Sequence, residues 1–337
     1  MSRWVDAWYR GAGWLKVLIP LEWLYKSIVV RRRRAYMSGR KRAQRLPVPV
    51  IVVGNITLGG TGKSPLVAWL GRWLSEQGRR PGIVSRGYGG KAPHYPFQVG
   101  VEASVDQSGD EPLMLAQQTG LPVVVDPDRP RGAWALVEAG CDIVIADDGL
   151  QHLALGRDLE LVVVDGQRGF GNARCLPAGP LREPLSRLGE VDAVIVNGEP
   201  AKTLPQPGYR MQLRPMHWRH LMDGVCYPIE KPPFSSSVHA LAGIGHPSRF
   251  FTTLETLGLD IEKHPLADHH HFSAGDLRFD DELPVVMTAK DAVKCRPFAH
   301  RNCWVLDVEA HPESAFIDWL QTRLETLQSA TREVSNG

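Results

Sequence analysis

The chain has 337 residues and a formal net charge of +2, so it is long enough for two domains and a sizeable core. Its five cysteines, an odd number with no C-x-x-C pair, exclude a disulfide framework and favour a reducing compartment. The small net charge hides an asymmetry, because the basic residues are concentrated in the first 45 positions.

Residues 1–45 are predicted to form a helix and a basic segment that bind a membrane surface. They hold twelve Lys and Arg residues against Asp6 and Glu22, a net charge of +10. Apolar residues recur at helical spacing, at Trp14, Leu18, Leu21, Tyr25 and Ile28, and "RRRR" follows at 31–34. Tryptophans, such a stripe and a polybasic tail are typical of an interfacial anchor on an anionic membrane.

Three other interpretations of this segment were weighed. A membrane-spanning helix is disfavoured because residues 14–30 carry three charges and are broken by Pro20. A helix packed on the protein's own core and a nucleic-acid arm are the other two, but four tryptophans fit lipid better than nucleic acid. No cleavable signal peptide is recognisable.

The stretch "GNITLGGTGKSP" (54–65) is predicted to be a phosphate-binding loop. It follows a buried strand, "VPVIVVG", and precedes an amphipathic helix, so backbone N–H groups and a helix dipole favour a polyphosphate there. The spacing departs from G-x-x-x-x-G-K-[ST], since Thr57 occupies the slot of the first glycine. A glycine-rich turn with a chance GKS is the alternative. The predicted nucleotide-binding residues are Gly59, Gly60, Thr61, Gly62, Lys63 and Ser64.

Short β-rich runs alternate with helical stretches along the rest of the chain, at 81–85, 121–126, 141–148, 159–166 and 191–198. This pattern predicts a P-loop NTPase-like doubly wound α/β sheet, with a second, smaller α/β domain joined by a β-ribbon linker. The predicted units are residues 1–45 (membrane-surface segment), 46–204 (nucleotide-binding domain), 205–236 (linker, with a turn at Asp223-Gly224) and 237–328 (C-terminal domain).

Two carboxylates end the apolar strand in "CDIVIADDGLQH". Asp147 and Asp148 occupy the place where P-loop enzymes hold Mg²⁺, with Ser64 as a further ligand; an ordinary acidic turn is the alternative. His152 either orients one of the carboxylates or caps the segment. Arg86, in the glycine loop "SRGYGG", is a candidate for binding substrate or phosphate.

"SGDEP" (108–112) opens a helical stretch with two acids. Asp110 is either its N-cap or a general base that takes the proton of an acceptor hydroxyl, and Glu111 is expected near the metal. In "ADHHHFSAGDL" three histidines follow Asp268; a zinc cluster is possible in principle, but a histidine that acts with Asp110 is favoured. Cys295, His300 and Cys303 lack a fourth ligand and are interpreted as structural.

Eight motifs occur in one order: "GGTGKSP", "RGYGG", "GDEP", "DDGLQH", "FGN" with "LPAGPLREP" (170–184), "GIG" with "RFF" (243–251), "DHH" and "TAKDAVK" (288–294). Together they resemble the tetraacyldisaccharide 4′-kinases, which phosphorylate a membrane-embedded acylated glucosamine disaccharide on the lipid A pathway. The resemblance runs from the N-terminal segment to about residue 310. His246 and Ala173 depart from it, where asparagine and glycine are expected.

The resemblance implies an ATP- and Mg²⁺-dependent lipid kinase at the cytoplasmic face of the inner membrane, with an anionic glycolipid substrate and neither nucleic acid nor an obligate protein partner. It implies Asp110 as the base and His269 as its partner. Residues close to the reacting groups or supporting them are Arg86, His152, Arg182, Glu183, Asp268 and Lys290. The rival hypothesis is a membrane-associated P-loop NTPase that acts as a switch or delivery protein, although "VNGEP" (196–200) and "TAKD" (288–291) both fail the N-K-x-D pattern of a GTPase.

Overall fold

The fold is taken from a computed structural model that describes residues 3–201, 203–268 and 270–336. The N-terminal segment consists of α1 (Arg3–Arg10), a 3₁₀ turn (Gly13–Leu18) and α2 (Ile19–Met37). The stretch 14–30 is not one α-helix, because the 3₁₀ turn ends at Leu18 and α2 begins at Ile19. The predicted break at Pro20 therefore lies at the start of α2, where the missing N–H of proline has no helical partner to lose. No described helix is long and apolar enough to cross a membrane.

The nucleotide-binding region is a sheet covered by helices on both faces, and its strands are parallel except for the edge strand Phe97–Gln98, which is antiparallel to its neighbour. Each strand predicted here from an apolar run is present. The strands are β1 (Val50–Gly54), β2 (Pro81–Ser85), β3 (Phe97–Gln98), β4 (Val123–Val125), β5 (Ile143–Asp147), β6 (Leu159–Asp165) and β7 (Ala193–Asn197). The helices are α3 (Lys63–Glu76), α4 (Val105–Ser108), α5 (Asp110–Thr119) and α6 (Arg129–Glu138).

The remaining chain contributes a β-hairpin and a second α/β region. The hairpin strands are β8 (Tyr209–His220) and β9 (Cys226–Pro228), and the predicted turn glycine, Gly224, has a φ of +75°. The elements that follow are β10 (Ser237–Ala242), α7 (Pro247–Thr256), β11 (Asp260–Pro265), β12 (Val285–Thr288), α8 (Ala289–Cys295), β13 (Cys303–Pro312) and α9 (Ser314–Asn336).

The two regions share one continuous sheet. Its order is β11-β10-β12-β13-β8-β7-β6-β1-β5-β2-β4-β3, with β9 paired to β8. Strand β8 lies parallel to β7 and antiparallel to β13, so the hairpin is part of the sheet. One hydrophobic core spans both regions, and in it Trp69 of α3 contacts Phe316 of α9 with ring centroids 6.0 Å apart. The domain boundaries at residues 204 and 236 therefore stay a prediction.

Candidate active site

The phosphate loop and the paired carboxylates meet because their strands are neighbours. Strands β1 and β5 are parallel, with Val53 paired to Asp147, so both motifs leave the sheet at the same carboxyl edge. The loop between β1 and α3 then brings Lys63 to Asp148, with Nζ 3.4 Å from Oδ1. Ligands of open α/β sheets bind at such an edge.

The unusual glycine spacing has a local explanation. Thr57, in the slot of the usual first glycine, is buried and forms a β-bridge with Leu181. The left-handed positions are Gly59 (φ +94°) and Gly62 (φ +96°). A Cβ atom on Gly62 would lie 2.4 Å from Asn197 Nδ2, which donates a hydrogen bond to Thr61 O at 3.0 Å. Gly62 therefore has no substitute at the N-terminus of α3.

Asp147 lies fully buried beneath the loop. Burial, with the negative charges of Glu111 and Asp148, raises its pKa to about 7. Its Oδ2 accepts a hydrogen bond from Ser85 Oγ at 3.4 Å, whereas Oδ1 has no hydrogen-bond partner among the described residues. A buried carboxylate oxygen without a partner fits a hard divalent cation such as Mg²⁺, and the Ser64 hydroxyl at the start of α3 offers a second oxygen at the same edge of the sheet.

Asp148 differs from its neighbour in having two cationic partners. Both of its oxygens accept from Arg182 Nη1, at 3.0 and 3.1 Å, and Lys63 lies 3.4 Å away. Burial alone would raise the pKa of Asp148, but these two cations hold it well below its usual value. Its φ of +47° places it in the left-handed region, which aspartate tolerates better than most residues. Asp148 thus contacts both Lys63 and Arg182, and its predicted role as a metal ligand stays a prediction.

A group of carboxylates and lysines forms the opposite wall of the cleft. Lys290 Nζ lies 3.2 Å from Glu111 Oε1, 3.4 Å from Asp268 Oδ1 and 3.9 Å from Asp110 Oδ2. Burial alone would lower the pKa of this ammonium, but the three carboxylates raise it above its usual value. Lys294 Nζ is also 3.9 Å from Asp110 Oδ2.

Asp110 is not the N-cap of its helix. That position belongs to Gly109 (φ +84°), where a Cβ atom would lie 2.5 Å from Tyr88 O. Asp110 is the buried first residue of α5, and its Oδ1 accepts from the N–H of Glu111 at 2.9 Å. Its Oδ2 lies on the side of Lys290 and Lys294. His269, its predicted partner, lies outside the described residues, so the pairing stays a prediction.

Both walls face one cleft of about 820 Å³. The loop around Gly245 reaches across it, so that a Cβ atom on this glycine would lie 2.8 Å from Gly60 N. Most of the residues predicted from the sequence line this cleft: Gly59, Gly60, Gly62, Lys63, Ser64, Arg86, Asp110, Glu111, Asp148, His152, Arg182, Asp268 and Lys290.

Three predicted residues do not line the cleft. Thr61 and Asp147 are buried beneath it. Glu183 is also buried, with Oε2 3.4 Å from Arg187 Nε, and its Oε1 accepts from Gln151 Nε2 at 2.8 Å. Gln151 lines the cleft, so Glu183 is connected to the cleft through Gln151 and does not face it directly.

Two arginines at the site were not found from the sequence, namely Arg129, which lines the cleft, and Arg168, which contacts its phosphate loop. Arg129 is 1% exposed and donates to Asp147 O at 3.0 Å, and burial lowers its pKa to about 10. Burial and the positive charges of Arg129 and Arg86 lower the pKa of His152 to about 4, so this imidazole is neutral. Arg168 donates to Gly60 O and pairs with Asp165. Neither Arg129 nor Arg168 belongs to a recognisable motif, so no local signal would have found them.

The cysteines show no clustered chemistry. All five are free thiols, and four of them are buried. His300, near Cys295 and Cys303 in sequence, instead places its Nε2 2.8 Å from Leu277 O.

The chain is similar to known proteins along nearly all of its length. The family model described as tetraacyldisaccharide-1-P 4′-kinase matches residues 14–325. The tetraacyldisaccharide 4′-kinase of Ectopseudomonas mendocina is 50% identical over 327 residues, covering 97% of this chain and 98% of the relative. That of Azotobacter vinelandii is 49% identical over 331 residues, covering 98% and 99%.

A solved structure is similar in fold. The crystal structure of LpxK from Aquifex aeolicus in complex with ATP matches with a TM-score of 0.78 and 29% identity. The match covers 93% of this chain and 98% of that one.

Proposed function

The chain belongs to the tetraacyldisaccharide 4′-kinase family and is a lipid-sugar phosphotransferase, and we propose that its cleft holds ATP on one wall and the acceptor sugar on the other. The reaction phosphorylates the 4′-hydroxyl of a tetraacylated glucosamine disaccharide 1-phosphate, giving the lipid A precursor lipid IVA. The γ-phosphoryl group passes from ATP to the hydroxyl oxygen, ADP leaves, and the hydroxyl proton goes to a base.

The phosphate wall is proposed to bind the triphosphate through backbone N–H groups and one lysine. Gly59 to Ser64 surround the N-terminus of α3, where N–H groups lack helical partners and the helix dipole attracts negative charge. Lys63 is held at the edge of this loop by Asp148, in reach of the β- and γ-phosphates. Arg182, held by the same carboxylate, adds a second positive charge.

Asp147 and Ser64 are proposed to hold Mg²⁺. The support is the free Oδ1 atom of Asp147 together with the hydroxyl at the start of α3. When bound, such an ion neutralises charge on the β- and γ-phosphates. Glu111, whose charge contributes to the raised pKa of Asp147, lies near enough to support the site.

Asp110 is proposed as the base, and this residue carries the mechanism. It is a buried carboxylate on the wall opposite the phosphate loop, and Lys290 and Lys294 lie on its Oδ2 side. A sugar hydroxyl becomes a competent nucleophile when a positioned carboxylate accepts its proton as the new P–O bond forms. His269 is proposed to orient or relay for Asp110. The proximity of Asp268 to Lys290 supports this, since it brings that part of the chain to the same wall.

The N-terminal segment is proposed to lie on the inner membrane, where the acyl chains of the acceptor are embedded. Helix α2 is attached to the body of the protein through Tyr25, whose hydroxyl donates to Arg182 O, and Glu22, which pairs with Arg174. The exposed apolar residues of α2 are Leu21, Trp23, Leu24 and Ile28, and Trp14 and Val17 are exposed in the 3₁₀ turn that precedes it. Of the predicted stripe, Leu18 and Tyr25 therefore pack on the body of the protein, whereas Trp14, Leu21 and Ile28 are exposed.

One assay tests this function. The pure protein is incubated with γ-labelled ATP, Mg²⁺ and a detergent-dispersed lipid A disaccharide 1-phosphate, and labelled lipid is the expected product. The switch hypothesis predicts the opposite result, namely label released as inorganic phosphate at a rate that the lipid does not change.

The membrane role has a separate test. Replacing Leu21, Leu24 and Ile28 by serine should release the protein from anionic vesicles, whereas the same change at three exposed apolar residues elsewhere, Val101, Met222 and Val225, should not. Equal sedimentation of the two triple variants would exclude the α2 surface as the anchor.

A further inference from the structure

Three side chains of metal-binding type lie together on β10 and on the edge strand β11, at the end of the sheet that the C-terminal region forms, outside the cleft. His239 is on β10, and Glu262 and His264 are on β11, the edge strand. The parallel register pairs His239 with Glu262. Because side chains alternate along a strand, His264 points to the same face as Glu262, two residues earlier. The β-ladder itself therefore brings the three groups together.

The distances among the three groups match those of a tetrahedral metal site. His239 Nδ1 lies 3.0 Å from His264 Nε2 and 3.5 Å from Glu262 Oε2, and His264 Nε2 lies 3.7 Å from Glu262 Oε1. A tetrahedral zinc ion with bonds of about 2.0–2.1 Å holds its ligand atoms about 3.3 Å apart. Each of the three distances is within about 0.4 Å of that value. The two distances to Glu262 involve its two different oxygens, so this exposed carboxylate must rotate to present one oxygen to both nitrogens.

A fourth residue prepares His239 for such a role. Asp281 Oδ1 lies 3.0 Å from His239 Nε2 and also accepts from the N–H of Leu283 at 3.0 Å. A carboxylate there accepts the Nε2 proton, and this leaves the lone pair of Nδ1 directed at His264 and Glu262. Metal-binding histidines are held in this way by a carboxylate on the other ring nitrogen. The His239 ring is also stacked on Phe279, with centroids 3.7 Å apart.

We propose that His239, Glu262 and His264 bind one Zn²⁺ ion, with water as the fourth ligand. Two imidazoles and a carboxylate suit zinc, whereas the all-oxygen groups at Asp147 and Ser64 suit Mg²⁺, so the two sites select different ions. The ion connects β11 to β10. Its role is to secure the edge strand of the sheet, remote from phosphoryl transfer.

Zinc binding to the full-length, chelator-treated protein tests the proposal. Competition with a chromophoric chelator in Mg²⁺-free buffer should show one more zinc ion per chain in the wild type than in His264→Ala. Glu262→Gln should weaken binding at least tenfold, and Asp281→Asn, which touches no metal, about 10- to 100-fold. Zinc should raise the Tm of the wild type and leave that of His264→Ala unchanged.

Two features keep the experiment decisive. Glu262 is 64% exposed, so its replacement by glutamine leaves the fold intact. The control is His311→Ala: His311 Nε2 lies 3.8 Å from Glu309 Oε2, but this histidine belongs to no three-ligand group within residues 3–201, 203–268 and 270–336. If the wild type and Glu262→Gln bind zinc with equal stoichiometry and affinity, the trio is only a hydrogen-bonded chain and the proposal is wrong.

Discussion

The two walls of the cleft are built in different ways. The phosphate loop at the centre of one wall is a continuous segment between β1 and α3, and its shape depends on local backbone angles such as the φ of +96° at Gly62. The opposite wall joins α5 to α8, and its central contact, Glu111 to Lys290, spans 179 positions of the chain. A loop made from one segment is visible in the sequence, whereas a wall assembled from distant segments exists only after folding.

The largest effect is expected on the assembled wall, at Asp110. Asp110→Ala should lower kcat about 10²- to 10⁴-fold with little change in the KM for ATP, because the base acts on the acceptor and not on the nucleotide. His269→Ala should lower kcat as well. If the two residues act as a unit, the double variant should be hardly worse than the poorer single variant. Steady-state kinetics on the three variants measures this.

Asp106→Ala is the control, since this aspartate is exposed and lies four residues before Asp110. It should keep the wild-type kcat. Losses that multiply in the double variant would show that Asp110 and His269 act independently, and the proposed pair would have to be abandoned.

In the continuous loop, Lys63→Ala is expected to lower kcat about 10²- to 10³-fold, the usual cost of removing one preorganised positive group from a transition state. Asp148 would then keep only Arg182 as a cationic partner, so some loss of thermal stability should accompany the kinetic loss. Lys231→Ala, at an exposed lysine, is the matched control. Near-normal turnover in Lys63→Ala would show that the phosphate loop is not part of the active site.

The same contrast explains what the sequence revealed. Strands β1 and β5 are wholly buried, and the unbroken apolar runs at 50–53 and 143–146 made them recognisable. Strand β11 was missed because only Ile261 and His264 of its six residues are even half-buried, so no apolar run marks it. Edge strands carry too little burial to impose a pattern on their sequence.

The candidate site divides in the same manner. Lys63, Ser64 and the two aspartates of β5 follow from motifs next to recognisable strands. The ion pair of Asp148, by contrast, depends on Arg182, and the burial of Arg129 depends on several elements packing around it. The His239 cluster needed the pairing of β10 with β11 before its members became neighbours. Long-range contacts of this kind cannot be recognised from the spacing of residues along the sequence.

A smaller effect, on the pH dependence of stability, is expected at Asp147, whose pKa is influenced by groups of both walls. Its pKa is about 7 in the folded protein, against an ordinary value of 3.8, so between these pH values the folded state binds the extra proton. The contribution to stability is therefore fully present below about pH 4 and lost as the pH rises through 7. In EDTA, Asp147→Asn should raise the free energy of unfolding at pH 8 relative to pH 5, by a few kcal/mol at most.

Thermal unfolding of both proteins across this pH range measures the difference. Asp260→Asn, at an exposed aspartate, should leave the pH dependence of the wild type unchanged. If the free energy of unfolding of the wild type and of Asp147→Asn varied with pH in the same way, burial would not raise the pKa of Asp147.

The smallest effect is expected at Ala173, where, as in the phosphate loop, a local backbone angle determines which residue is favourable. Ala173 is exposed and has a φ of +58°, a left-handed conformation that costs an alanine about 1 kcal/mol or more. Glycine adopts this conformation freely but loses more chain entropy on folding, so Ala173→Gly should stabilise the protein by roughly 0.5–1 kcal/mol. Ala139 is also exposed but has an ordinary φ of −75°, and Ala139→Gly should destabilise the protein by a similar amount. Urea unfolding of the two variants gives the comparison, and equal signs for both changes would show that the conformation of Ala173 is not strained.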